Sequence, residues 1–116
     1  LLLVSESTMA AAKGAILGRL LGAVAVKGKR EGVRIWEPVA MRAEADATLV
    51  GRVSEWNAAV ERFMAREFEA ALPVFEAWAA RHPDDEPASQ KIEACRQFIS
   101  LPPEPTWNGT VVMNTK

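Results

Sequence analysis

Few residues in this chain could carry out chemistry. There is one histidine, His82, and one cysteine, Cys95, which excludes a His/Cys metal cluster held by the chain alone. A lone cysteine forms no internal disulfide and fits a reducing compartment. Cys95 shares a helical stripe with Ala88, Ile92 and Ile99 and reads as a core thiol. His82 stands beside Pro83 and reads as a helix-terminus group. Asp84-Asp85-Glu86 lacks the spacing of a calcium loop and reads as capping. The remaining candidates are cations. Lys27, Lys29, Arg30 and Arg34 gather around Gly28 and Gly32. A lysine ammonium at the end of a hairpin is a mobile point charge for phosphate oxygens, and Gly28 permits close backbone approach. By residue type alone, a solvated strand-end lysine is the expectation for Lys27. Lys29, Arg30 and Arg34 have no interleaved aromatic except Trp36, and the whole chain carries a net charge of -1. A solvated hairpin, rather than a nucleic-acid contact, is the expectation there.

The elements that must position these groups fall into two halves. The chain has 116 residues, 49% apolar and 25% charged, which is ordinary globular composition for about one domain. No apolar run approaches the ~20 residues of a membrane span, and Leu1-Leu2-Leu3-Val4 is too short for a signal core. No membrane contact and a cytoplasmic location are therefore expected of this stretch. It opens on Leu1 rather than Met, which leads to the expectation of a piece of something longer. Residues 1–42 carry seven basic groups against three acids, and residues 43–116 carry seven against twelve. That asymmetry suggests one half able to meet an anion, or two halves that attract each other.

The first half reads as β-α-β-β. Leu1 to Val4 is a short apolar strand. Ser5-Glu6-Ser7-Thr8 supplies a helix cap and a first-turn acid, and Met9 to Lys13 forms a helix that Gly14 stops. Arg19 to Val26 is a β-prone run with Val24 and Val26 on one face. After the Gly28–Gly32 turn, Val33, Ile35 and Glu37 alternate with Arg34, Trp36 and Pro38, and Pro38 is expected to end that strand. Residues 41–53 read as a linker or a poorly anchored helix.

The second half reads as helical over residues 54–101. Trp56, Ala59, Val60, Phe63 and Met64 form one stripe, with Ser54 as a possible cap. Phe68, Ala71, Leu72, Phe75 and Ala79 form a second, which Pro73 should either start near Leu72 or bend. Asp85 or Glu86 caps a third helix, with Pro87 in its first turn. Residues 102–116 are a Pro-rich extended tail in which Trp107 is expected to anchor the chain on the body. The fold class is α+β.

Two resemblances follow. Ala59, Phe68, Ala71, Phe75 and Pro83 stand at the offsets of a tetratricopeptide repeat, with Trp78 at a small-residue position and Arg66 in place of the turn glycine. Leu3-Val4-Ser5-Glu6-Ser7-Thr8, then Leu20 to Lys29 with Val26-Lys27-Gly28-Lys29 at its end, then Val33-Arg34-Ile35-Trp36-Glu37, resemble the carboxyl-terminal end of a class III adenylate/guanylate cyclase catalytic domain. Trp36 stands where that family usually has tyrosine. The helices and Pro102-Pro103-Glu104-Pro105-Thr106-Trp107-Asn108-Gly109 resemble the tail that bacterial cyclases often carry.

The resemblance implies that residues 1–40 are the end of a cyclase domain, in a parent that converts ATP to cyclic AMP and pyrophosphate. It implies that Lys27 contacts the nucleotide polyphosphate. The aspartates for Mg2+ or Mn2+ would lie upstream, so this chain alone is expected to be inactive, while the parent is expected to be a homodimer. A non-enzymatic helical adaptor or dimerisation module, binding a protein partner, is the other reading.

Overall fold

The computed structural model describes residues 2–26 and 32–113. The fold is α+β. In chain order it has β1 (Val4–Ser5), α1 (Glu6–Ala11), β2 (Ile16–Val26), β3 (Val33–Met41), α2 (Ala47–Met64), α3 (Phe68–Arg81), α4 (Glu86–Ser100) and β4 (Thr110–Met113). The sheet order is β1-β3-β2-β4, with β3 antiparallel to both β1 and β2, and β4 parallel to β2. Two compact units divide the chain: Leu1–Asn57 with Thr110–Lys116, and Ala58–Gly109. Among the described residues no helix is long and apolar enough to cross a membrane.

In the first unit, Ser5 caps α1 by accepting from the Thr8 amide, and the acid Glu6 occupies the positive end of the helix. The helix thus starts earlier than Met9 and ends at Ala11, before Lys13. Lys13 (φ 51) and Gly14 (φ 82) turn the chain back into β2. That strand is longer than its sequence suggests, because two bulges absorb residues that break the alternation. Gly18 pairs with Pro38 but Leu17 with Ala40, which leaves Val39 extra. Leu20 pairs with Trp36 but Gly22 with Ile35, which leaves Leu21 extra. Pro38 therefore does not end its strand: a proline at a bulge breaks the ladder only locally, and β3 continues to Met41. The bulge at Leu21 also changes the phase of burial, so Ala23 and Ala25 enter the core and Val24 is only half-buried.

Residues 41–53 are not a linker. They comprise the end of β3, a 3-10 turn at Arg42–Glu44 and the first two turns of α2. Asp46 supplies the cap, its Oδ1 accepting from the Leu49 amide at 2.8 Å, so Ser54 lies inside the helix. Val53 is fully buried, which extends the apolar stripe one turn ahead of Trp56.

In the second unit, the end of α2 packs with α3 and α4 through Ala59, Val60, Phe63, Phe68, Ala71, Phe75, Trp78, Ala88 and Cys95, all buried. α3 starts at Phe68, well before Pro73. Pro73 is exposed and leaves unbonded the carbonyl of Glu69, another exposed residue that water can reach. Asp85 caps α4 by accepting from the Ala88 amide at 3.2 Å, with Pro87 in the first turn. The third stripe differs from its sequence reading at one end. Ile99 is 40% exposed, and Phe98 turns inward instead.

The reason lies in the tail. Trp107 packs its ring 5.4 Å from Phe63, 5.4 Å from Phe68 and 5.2 Å from Phe98, edge-on or tilted in each case. Arg66 holds the same segment, donating to the carbonyls of Pro103, Glu104 and Trp107 at 2.8–3.0 Å. Its φ of 72° is the left-handed conformation that the repeat's usual glycine would adopt without strain. Gly109 (φ +85) has no room for a side chain, since a Cβ would stand 2.6 Å from Met64 Cγ and 3.1 Å from its Cα.

Trp107→Ala should therefore lower the stability of the helical unit by about 3 kcal/mol, as truncation of a packed aromatic does. Trp107→Phe should cost less than half of that. Urea denaturation followed by far-UV circular dichroism checks both.

Candidate functional site

The cation that the cyclase resemblance singles out, Lys27, lies outside the described residues, as do Lys29 and Arg30. What is described is the frame around them. β2 and β3 remain paired as far as Val24 and Val33, and on its other edge β2 is paired to β4 from Ala23 to Val26. Arg34, half-buried on β3, lines an open depression with Glu6, Ser7, Ala10, Gly32 and Val33. Glu6 is held there by Trp36, whose Nε1 donates to its Oε1 at 2.8 Å. The tryptophan at the family's tyrosine position thus ties β3 to the first turn of α1.

Behind this frame lies a polar clamp that the sequence did not reveal. Arg19 is 2% exposed, and its Nε and a terminal nitrogen donate to Glu37 Oε1 at 2.9 and 2.8 Å. Its guanidinium also lies 4.6 Å from the ring centre of the buried Trp56. Trp56 Nε1 donates to the Leu20 carbonyl at 2.7 Å. Asn57 accepts from the Leu20 amide at 2.7 Å and donates to the Gly18 carbonyl at 3.1 Å. Two side chains of α2 thereby stand in for a strand along the edge of β2. A signal was available: a lone arginine inside an apolar strand requires an anion, and Glu37 on the neighbouring strand is one. Asn57 gave none.

The other candidates fall into place singly. His82 ends α3, its amide donating to the Trp78 carbonyl at 2.9 Å and its ring stacked 4.9 Å from Trp78. Asp85 is a cap, as its sequence context suggested. Cys95 is fully buried. Burial pushes its thiol up to about 11, Lys91 pulls it down somewhat and Glu76 raises it. A thiol so protonated at neutral pH is a poor nucleophile. Among the described residues no group of three or more His, Cys, Asp or Glu could hold a metal ion. No protein-family model, curated protein or solved structure matches the chain.

Two outcomes are expected. Glu37→Gln leaves the Arg19 charge in the interior without its anion and should cost about 3–5 kcal/mol in urea denaturation, whereas Arg19→Met with Glu37→Met should recover most of that loss. For Cys95, the folded state holds its proton to higher pH than the unfolded chain does. That contribution to stability is complete below the ordinary thiol range and is lost as pH rises towards about 11. Denaturation midpoints of the native protein should fall across that window more steeply than those of Cys95→Ala.

Proposed function

We propose that the chain is the carboxyl-terminal part of a class III nucleotide cyclase, comprising the closing strands of the catalytic domain and a helical tail. The observation that supports this reading is that β2 stays in the sheet up to Val26 and β3 resumes antiparallel to it at Val33, with Val26-Lys27-Gly28-Lys29 following in the sequence from the last residue of β2. A lysine next in sequence to a strand suits a polyphosphate, because a lysine ammonium is a compact charge on a flexible stem that can follow phosphate oxygens. Further support comes from the Ser5-capped helix before the hairpin and from the Trp107-Asn108-Gly109 segment, in which Trp107 packs on Phe98 and Gly109 has no room for a side chain.

In this reading the residues of the chain bind and orient, while the bond-making groups come from the upstream part of the parent. Lys27 neutralises phosphate charge. The Arg19–Glu37 pair, Trp56 and Asn57 hold β2, the strand that precedes Lys27 in sequence. Divalent Mg2+ or Mn2+, when bound, supplies activation of the ribose 3′-hydroxyl, and its ligands belong to the upstream residues. The parent works as a homodimer with its sites shared between two catalytic domains.

The second reading, a helical adaptor, draws on exposed apolar residues of the helical unit. Ile99 (40%) and Leu101 (72%) stand near a depression lined by Phe68, Phe98 and Pro102.

The test is cyclic nucleotide formation from ATP with Mg2+ or Mn2+. The longer polypeptide should form cyclic AMP, this chain alone should form none, and Lys27→Ala in the longer polypeptide should raise KM for ATP about tenfold. A longer polypeptide without such activity, combined with loss of partner binding in Leu101→Asp, would favour the adaptor.

A further inference from the structure

Gly32, immediately before β3, stands where a side chain would have no room. A Cβ there would lie 2.7 Å from Thr110 Oγ1, 2.8 Å from Thr110 Cγ2 and 3.3 Å from the Ala23 Cβ. By contrast, a Cβ at Gly14, Gly22 or Gly51 would meet nothing within 4 Å. The β-carbon space of Gly32 is therefore filled by the two branches of the Thr110 side chain. Thr110 is the first residue of β4 and pairs with Ala23 of β2, which itself pairs with Arg34 of β3. One threonine thus crosses the end of β2 and settles against the start of β3.

The described valines of β4 are not buried. It has four residues, and Val111 and Val112 are 63% and 61% exposed. Neither valine gains much from being removed from water, so among the described side chains of β4 it is Thr110 whose fit adds to the parallel pairing with β2. A threonine is stiff at χ1. With both branches already against Gly32, no rotation exchanging them would admit a methyl group.

We infer that Gly32 and Thr110 form a socket and key that seats β4 on β2, and that the seated strand fixes the ends of β2 and β3 between which residues 27–31 run. Thr110 is then a positioning residue: it acts on nucleotide contact only through the strand that leads into Lys27. The seat stands on the geometry alone. Its catalytic consequence rests on the proposed function.

Three variants test it: Gly32→Ala, Thr110→Ala, and the two together. Hydrogen exchange of the full chain reads the seat. Gly32→Ala should speed exchange of the β4 amides and of the β2 amides at 23–26 at least tenfold, with α3 and α4 unchanged. Thr110→Ala should have a smaller effect. The double variant, which removes both clashing branches, should return to the rates of Thr110→Ala. Unchanged exchange in Gly32→Ala, or a double variant as fast as Gly32→Ala, would overturn the seat. If Gly32→Ala does not fold, Thr110→Leu overfills the same socket from the other side and should give the same deprotection of β4.

In the longer polypeptide, Gly32→Ala should raise KM for ATP at least threefold with kcat within twofold, and the double variant should restore KM. An unseated β4 with an unmoved KM removes the positioning role. A wild-type polypeptide that forms no cyclic nucleotide removes the proposed function and with it the catalytic consequence, while the exchange result still decides the seat.

Discussion

A β-strand in the middle of a sheet must satisfy hydrogen-bonding groups along both of its edges, and β2 is the strand on which the first unit is built. β3 covers one edge over nearly the whole length. The opposite edge has no single partner. Asn57 and Trp56 take the backbone groups of Gly18 and Leu20, and β4 takes the stretch from Ala23 to Val26. Buried peptide groups left without a partner cost free energy comparable to a lost hydrogen bond, so these two substitutes are structural necessities rather than ornaments. They also explain why an 11-residue strand can carry a bulge at Leu21 without fraying: the ladder is interrupted on one side at a point where the other side changes partner.

The two units each rely on one arginine, and hold it differently. In the first, Arg19 lies inside the fold, paired with Glu37 and stacked on Trp56. A desolvated ion pair of this kind adds little net stability against an apolar substitute, but it tolerates no misalignment of β2 and β3. In the second, the half-buried Arg66 uses its fork of N–H groups on three backbone carbonyls of the tail. The carbonyls of a proline-rich segment are obvious targets, since prolines contribute acceptors but no donors. The left-handed backbone at Arg66 costs of order 1 kcal/mol or more. The guanidinium's bonds to the tail are what offsets it, and a glycine there would be relaxed but could not hold the segment.

Much of the helical unit was legible, because the 3.6-residue period is strong in Ala59, Val60 and Phe63 and again in Phe68, Ala71 and Phe75. Its caps and its tryptophan anchor also have local signatures. What the period did not show was the inward turn of Phe98, since that depends on Trp107 arriving from the tail. The first unit was less legible. Its order of elements could be read from Ser5, Gly14 and the Gly28–Gly32 turn, but Pro38 and the alternation of Val24 and Val26 misled. Two bulges shift the period-two pattern, and a bulge is set by tertiary fit rather than by propensity. The start of α2 was missed because Asp46 follows alanines and glutamate that could belong to any exposed segment. Of the candidate site, Lys27 came from a sequence motif. The clamp behind it, and Asn57 above all, is a product of three-dimensional neighbourhood that spacing along the chain does not encode.

The order in which the first unit receives its parts carries a further consequence. Thr110 follows Val26 by more than eighty residues, with the whole helical unit between them. On the ribosome, β2 and β3 emerge long before β4, so one stretch of strand edge stays open during synthesis of everything in between. Open edges template intermolecular pairing. A nascent chain of this design therefore passes through a period of exposure to aggregation that ends only when the last strand is delivered. A transcript that stops just short of Thr110 would leave that exposure permanent.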